Sequence, residues 1–244
     1  MALTTNHKDD FDAEKIKNSK EMLVPAEDSD VKLKTFNNSL NILSHILIGC
    51  TVAISVLYTF REGTMSATRM HIILCVLGYQ LLMAESILSL SPHNSWSSSL
   101  KLVHKRRAHW ILQILGSGLA IAGSIIIYMH KTVHWNTLHG QFALVAVVFT
   151  CVSFINGLSS LYAYELRRFI PGILSKITHI LFGTVAFVTA SISLCYGFDK
   201  RSFRNWSTSE MADTFIAFTA IFTFVIIVNP LIVFFDKTVK SFRR

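Results

Sequence analysis

Six stretches of this 244-residue chain are each about as long and as apolar as a lipid bilayer is thick, and nothing else in it constrains the fold as strongly. A membrane helix needs about 20 mostly apolar residues. The runs are 41–60, 70–90, 108–129, 138–163, 174–198 and 212–235. Each is apolar nearly all round, unlike the one-sided stripe of a soluble helix, and none alternates as a strand does. The expected fold is all-α, an integral-membrane bundle of six helices with short loops. Hydrophobic residues make up 51% of the chain and charged residues 16%, against about 25% charge in a soluble domain. That excludes an ordinary soluble enzyme and a disordered chain. The net charge of +8 then reports orientation first, and no nucleic-acid partner is expected.

The polar segment 1–39 is expected to be a flexible cytosolic tail, followed by a transmembrane domain over 40–235 and a basic cytosolic tail over 236–244. No basic stretch followed by a short apolar core opens the chain, so no cleavable signal peptide is predicted. The four cysteines, Cys50, Cys75, Cys151 and Cys195, sit in apolar runs without a CxxC spacing and read as small buried hydrophobes. Six spans return the chain to its starting side. One side carries thirteen basic residues near the membrane: Lys32, Lys34, Lys101, Lys105, Arg106, Arg107, Arg167, Arg168, Lys176, Lys237, Lys240, Arg243 and Arg244. The other carries six: Arg61, Arg69, Lys131, Lys200, Arg201 and Arg204. The positive-inside rule makes the first side cytosolic, so both termini are expected in the cytosol. The membrane itself is expected to be the endoplasmic reticulum or a vesicle.

Ten histidines are many for so apolar a chain. His71, His109 and His139 stand second in spans two, three and four, and His179 lies about one turn into span five. Successive spans run in opposite directions. His71 and His139 therefore share one depth near the outer face, and His109 and His179 share another near the inner face. Ionisable groups at membrane depth mark functional sites by default, and neutral imidazole is a favoured transition-metal ligand. Two imidazoles on opposite sides of one porphyrin make a six-coordinate haem suited to electron transfer. Gly78, Gly116, Gly140 and Gly183 lie beside these histidines. They either let a flat macrocycle approach the backbone or allow close helix packing. His45, in span one, is a rival ligand for the inner site or a packing residue. His130 and His134 precede span four and are placed to touch a substrate, whereas His7 and His93 read as solvated and His104 belongs to the basic loop.

The strings KRRAHWILQ (105–113), LHGQFALVAV (138–147) and ITHILFG (177–183) resemble the cytochrome b561 family of transmembrane electron carriers, and MAESILSLSP (83–92) points to a particular branch of it. The resemblance covers about residues 40–235. It implies two b-type haems, the outer held by His71 and His139 and the inner by His109 and His179. It also implies that cytosolic ascorbate reduces the inner haem, and that electrons reach monodehydroascorbate radical or ferric iron beyond the outer haem. A homodimer is suggested too. Two departures stand out. His71-Ile72 replaces the branch's frequent His-Pro, and Ser89-Leu90-Ser91-Pro92 replaces the basic-aromatic string that ends helix two in ascorbate-handling members. Lys105, Arg106 and Arg107 remain as the basic cluster for an anionic donor, with His134 and Lys131 for the acceptor. Glu85 is a candidate proton acceptor, or the partner of a nearby basic residue. The alternative function is a non-redox transporter passing protons or metal along its histidines. Such proteins usually also place acidic groups mid-membrane, and these span interiors hold essentially none.

Overall fold

The computed structural model describes backbone residues 7–61, 63–162, 165–168 and 171–243, with side chains from Ser29 onward except those of Leu166 and Arg167. Six helices among the described residues are long and apolar enough to cross a membrane, as the six runs predict, and no strand occurs among them. They are α1 (His7–Thr59), α2 (Ala67–Leu88), α3 (Leu102–His130), α4 (Leu138–Leu161), α5 (Gly172–Phe198) and α7 (Ser209–Phe242), with a short α6 (Arg201–Trp206) at the corner before α7. The protein is a multi-pass membrane protein. Two units divide the chain, Met1–Leu40 and Asn41–Arg244. In the first, helical backbone begins at His7, inside the segment expected to be a tail, and the side chains before Ser29 lie outside the described residues.

Within Asn41–Arg244, side-chain oxygens set the starts of three spans. Ser66 accepts from the Arg69 amide at 3.3 Å, Thr137 from the Gly140 amide at 3.2 Å and Thr208 from the Met211 amide at 3.2 Å. Each satisfies a donor that the first helical turn leaves orphaned. Helix α7 runs through Pro230 without ending.

The four central helices form two tightly packed pairs, α2 with α3 and α4 with α5, whose backbones approach each other far less between pairs than within them. The stripe Gly116, Ala120 and Gly123 on α3 brings α2 close. A Cβ built on Gly78 would lie 2.6 Å from the Gly116 carbonyl oxygen and 2.8 Å from the Ala120 nitrogen. Helix packing, not room for a macrocycle, accounts for Gly78 and Gly116; in lipid such small-residue crossings replace the hydrophobic drive. Midway along, α2 widens to a π-helix over Val76–Met83, a feature that often marks functional sites and one that a uniformly apolar run does not announce. Tyr79, Met83, Ala120, Ala146 and Ala190 form a buried hydrophobic layer between the pairs, tied by a 3.1 Å hydrogen bond between the Tyr79 and Thr150 hydroxyls. Helices α1 and α7 pack outside α2 and α5. There Ile48, Ala84, Phe187 and Phe222 close one cluster, and Ile54, Tyr58, Phe198 and Ala212 another.

Candidate functional site

The gap between the two helix pairs carries the histidines. His71 on α2 faces His139 on α4, with ring centroids 6.2 Å apart and planes at 89°. His109 on α3 faces His179 on α5, with centroids 6.1 Å apart and planes again at 89°. These are the two pairs that helix direction groups by depth. His71 and Ser86 bracket most of α2, and Ser86 holds His109; His139 and Ser153 bracket most of α4, and Ser153 holds His179. At 1.5 Å per residue the two pairs stand roughly 20 Å apart along the bundle.

One device orients all four rings. Each histidine reaches back through Nδ1 to a main-chain carbonyl of its own packing partner. His71 donates to Gly123 at 3.0 Å, His109 to Ser86 at 3.0 Å, His139 to Ser193 at 2.8 Å and His179 to Ser153 at 2.9 Å. A carbonyl only accepts, so Nδ1 carries the hydrogen and the Nε2 lone pair of the neutral ring is free. In three cases the serine closes a reciprocal clamp. The hydroxyls of Ser86, Ser193 and Ser153 donate to the main-chain oxygens of His109, His139 and His179 at 2.9, 2.9 and 3.4 Å. They also lie 2.9–3.2 Å from the same histidines' Nδ1 atoms. His71 departs from the pattern: the thiol of Cys75 stands 3.4 Å from its Nδ1. A metal-bound histidine commonly donates its second ring hydrogen in this way, which fixes the ring and raises its basicity.

The spacing can be tested against a bound iron. A metal–imidazole bond of about 2 Å, and a ring centroid just over 1 Å behind the nitrogen, put two trans imidazole centroids about 6.3 Å apart. Both pairs match within about 0.2 Å. Among the described residues no group of three or more His, Cys, Asp or Glu could hold a metal ion. Two imidazoles alone suit an iron whose other four positions are filled by a macrocycle. Around His71 and His139 lies a cavity of about 870 Å³, within the range that takes a cofactor-sized ligand. Glycines leave room for the rings. A Cβ at Gly157 would meet His179 Cε1 at 3.1 Å, and one at Gly197 would meet His139 Cε1 at 3.7 Å.

The remaining candidates are dispersed. Lys105 is buried, and its Nζ donates to the Ser91 carbonyl at 3.2 Å. Only Arg106 and Arg107 of that trio are exposed. His134 lines the cavity with Lys131 and Lys200 and stacks on Tyr128, centroids 4.1 Å apart. Its neighbour Trp135 has φ 57°, the left-handed region that bulky residues avoid, and Gln141 Nε2 holds its carbonyl at 3.1 Å. Burial and the charge of Lys131 pull the Lys200 ammonium below its ordinary value, so this mouth favours an anion. His45 is not at the His109–His179 pair; it binds Glu85 and Asn94. Residue-by-residue reading missed Ser86, Ser153, Ser193, Gly157 and Gly197. The signal was available for the serines, since each lies at the membrane depth of the histidine it holds.

A six-helix membrane protein with paired histidines between its central helices is the architecture of a membrane cytochrome. The chain belongs to the eukaryotic cytochrome b561 family, whose profile matches residues 70–204. Membership carries b-type haem binding and electron transport. The transmembrane reductase CYB561D2 of Mus musculus is 32% identical over 170 residues, covering 68% of this chain and 73% of the relative. Its Homo sapiens counterpart is 30% identical over 181 residues, covering 72% and 80%. The probable transmembrane reductase CYB561D1 of Mus musculus is 29% identical over 184 residues, covering 72% and 77%.

Proposed function

We propose that the protein is a transmembrane reductase with two b-type haems, one held by His71 and His139 and the other by His109 and His179. It takes electrons from a cytosolic donor, an ascorbate-type anion, and delivers them to monodehydroascorbate radical or ferric iron on the far side. What carries this reading is the repeated geometry: two histidine pairs at trans-ligand spacing, each ring fixed through Nδ1 with Nε2 free. Bound haem supplies a reversible one-electron ferric–ferrous couple. The chain supplies the rest. The carbonyls of Gly123, Ser86, Ser193 and Ser153 set the ring tautomers. The layer around Tyr79, Ala120, Ala146 and Ala190 fills the space between the two pairs and keeps water out of it.

Orientation follows from charge. Arg106 and Arg107 are exposed at the His109–His179 end, where they attract an anionic donor to the cytosolic face. Lys105 is committed to the Ser91 carbonyl and contributes charge rather than contact. At the other end Lys131, Lys200 and His134 surround the mouth of the cavity and steer an anionic acceptor or a ferric chelate. The family relationship and the reductase names of the relatives support a transmembrane reductase. The endoplasmic reticulum or a vesicle membrane, with both termini cytosolic and the chain as a homodimer, completes the proposal.

The test is electron transfer across sealed vesicles, with ascorbate on one side and a membrane-impermeant ferric chelate on the other. Reduction is expected only when ascorbate faces the Arg106–Arg107 end. Replacing both arginines by Gln slows it about tenfold at low salt, while haem content stays constant. Replacing Lys131 and Lys200 by Gln slows delivery to an anionic chelate but not to a neutral acceptor. Equal rates from both sides, or rates indifferent to these changes, contradict the proposal.

A further inference from the structure

Helices α1 and α2 and the loop 89–101 meet in a polar network that the reading above leaves without a role. His45 Nδ1 lies 2.6 Å from Glu85 Oε1, and His45 Nε2 lies 2.9 Å from Asn94 Oδ1. Asn94 Nδ2 donates to the Ser97 hydroxyl at 2.8 Å, and that hydroxyl donates to the Ser89 carbonyl at 2.9 Å. This fixes the Asn94 amide with its oxygen toward His45. Both ring nitrogens of His45 therefore face oxygens, and both bonds form only when the His45–Glu85 pair carries one proton beyond a neutral imidazole and a carboxylate. The network is complete when that proton is held and loses one of its bonds when it is not. The second Glu85 oxygen accepts from Trp96 Nε1 at 3.0 Å.

Three observations set this pair apart from a simple staple. Glu85 directly precedes Ser86, the residue that clamps His109. The pair keeps access to water, with side-chain exposures of 22% and 20%. Among the described residues, the cavity around His71 and His139 is lined by Lys131 and Lys200 and by no acidic residue. The surroundings add few competing charges. From α5 and α7 the groups packed here are Phe187, Phe222 and Ile226. From α3, Lys105 is bound to the Ser91 carbonyl. In the loop, Asn94 and Trp96 do not titrate, and His93 adjoins Asn94.

We propose that the His45–Glu85 pair is a proton-binding site linked to the haem held by His109 and His179. The inference rests on the haem reading above. On one-electron reduction of that site, the His45–Glu85 pair takes up one proton from the adjoining aqueous phase and passes from neutral imidazole beside carboxylate to imidazolium beside carboxylate. That proton offsets the added electron, and the charge of this end of the bundle is unchanged. An added electron in a poorly solvated interior favours such compensation, because an uncompensated charge there is costly. The reduced form holds more protons, so reduction is easier at low pH. His45 and Glu85 are positioning residues here, and neither touches the iron.

Redox potentiometry of the purified full chain, with haem absorbance read between pH 5 and 9, tests this. One of the two midpoint potentials is expected to fall as pH rises while the other stays flat. In Glu85→Gln, which keeps the size and hydrogen-bonding capacity of the site, the slope disappears while haem content and the reduced spectrum are retained. His45→Gln, which dissolves the ion pair from the other side, changes the same midpoint only, and it carries the test if Glu85→Gln loads no haem. Two flat midpoints in the wild-type protein, or a slope that survives in haem-loaded Glu85→Gln, overturn the proton site and leave the haem reading standing. A wild-type protein that binds no haem overturns both.

Discussion

Replacing His71 by Ala is expected to remove one of the two proposed haems and leave the other. The His71–His139 pair stands roughly 20 Å along the bundle from His109–His179. It uses different second partners, Gly123 and Ser193 rather than Ser86 and Ser153. Without His71, His139 alone would be left to hold the group on that side, and a b-type haem has no covalent tether to keep it there. About half of the dithionite-reduced haem absorbance is expected to be lost, and His139→Ala should give the same residual spectrum. His109→Ala and His179→Ala should each remove the complementary half. Loss of all the haem in a folded His71→Ala protein, or of none, would show that the pairs are not independent or not ligands.

The second large effect belongs to the crossing of α2 and α3. Gly78→Ala places a methyl group 2.6 Å from the Gly116 carbonyl oxygen and 2.8 Å from the Ala120 nitrogen. Both are backbone atoms of a helix, and no side chain can rotate out of the way. The helices must part, and the same interface carries the bonds that His71 donates to the Gly123 carbonyl and His109 to the Ser86 carbonyl. Overpacking of this kind costs about 1–3 kcal/mol, and more where the neighbours are rigid. A marked drop in thermal stability in detergent, with weakened retention of haem, is expected. Gly118→Ala is the control, since no atom lies within 4 Å of the added Cβ. Equal stability of the two variants would refute the close crossing.

Much of this was legible because the membrane reduces the problem to direction and depth. Bilayer-length runs fix the spans, alternation fixes direction, and direction sorts His71, His109, His139 and His179 into the pairs whose rings approach to 6.1–6.2 Å. Features that depend on lateral contacts were hidden. Gly78 and Gly116 gave the same signal for macrocycle room and for helix packing, and only the measured approach of α2 to α3 decides between them. Lys105 reads as one of three equivalent cations, yet the first turn of α3 points it at Ser91 while Arg106 and Arg107 stay exposed. His45 looked like a rival ligand because its depth suits the His109–His179 site. Depth says nothing about which neighbour a helix face meets, and this face meets Glu85 and Asn94. The π-helical segment of α2 left no mark in an uninterrupted apolar run.

The central claim is that two histidine pairs hold two haems in one chain. The most direct measurement is haem per polypeptide in the purified full-length protein, expressed with haem available, together with its oxidised and dithionite-reduced spectra. The account predicts two haems per chain, both six-coordinate and b-type. A single haem, a five-coordinate spectrum or a colourless protein would contradict it.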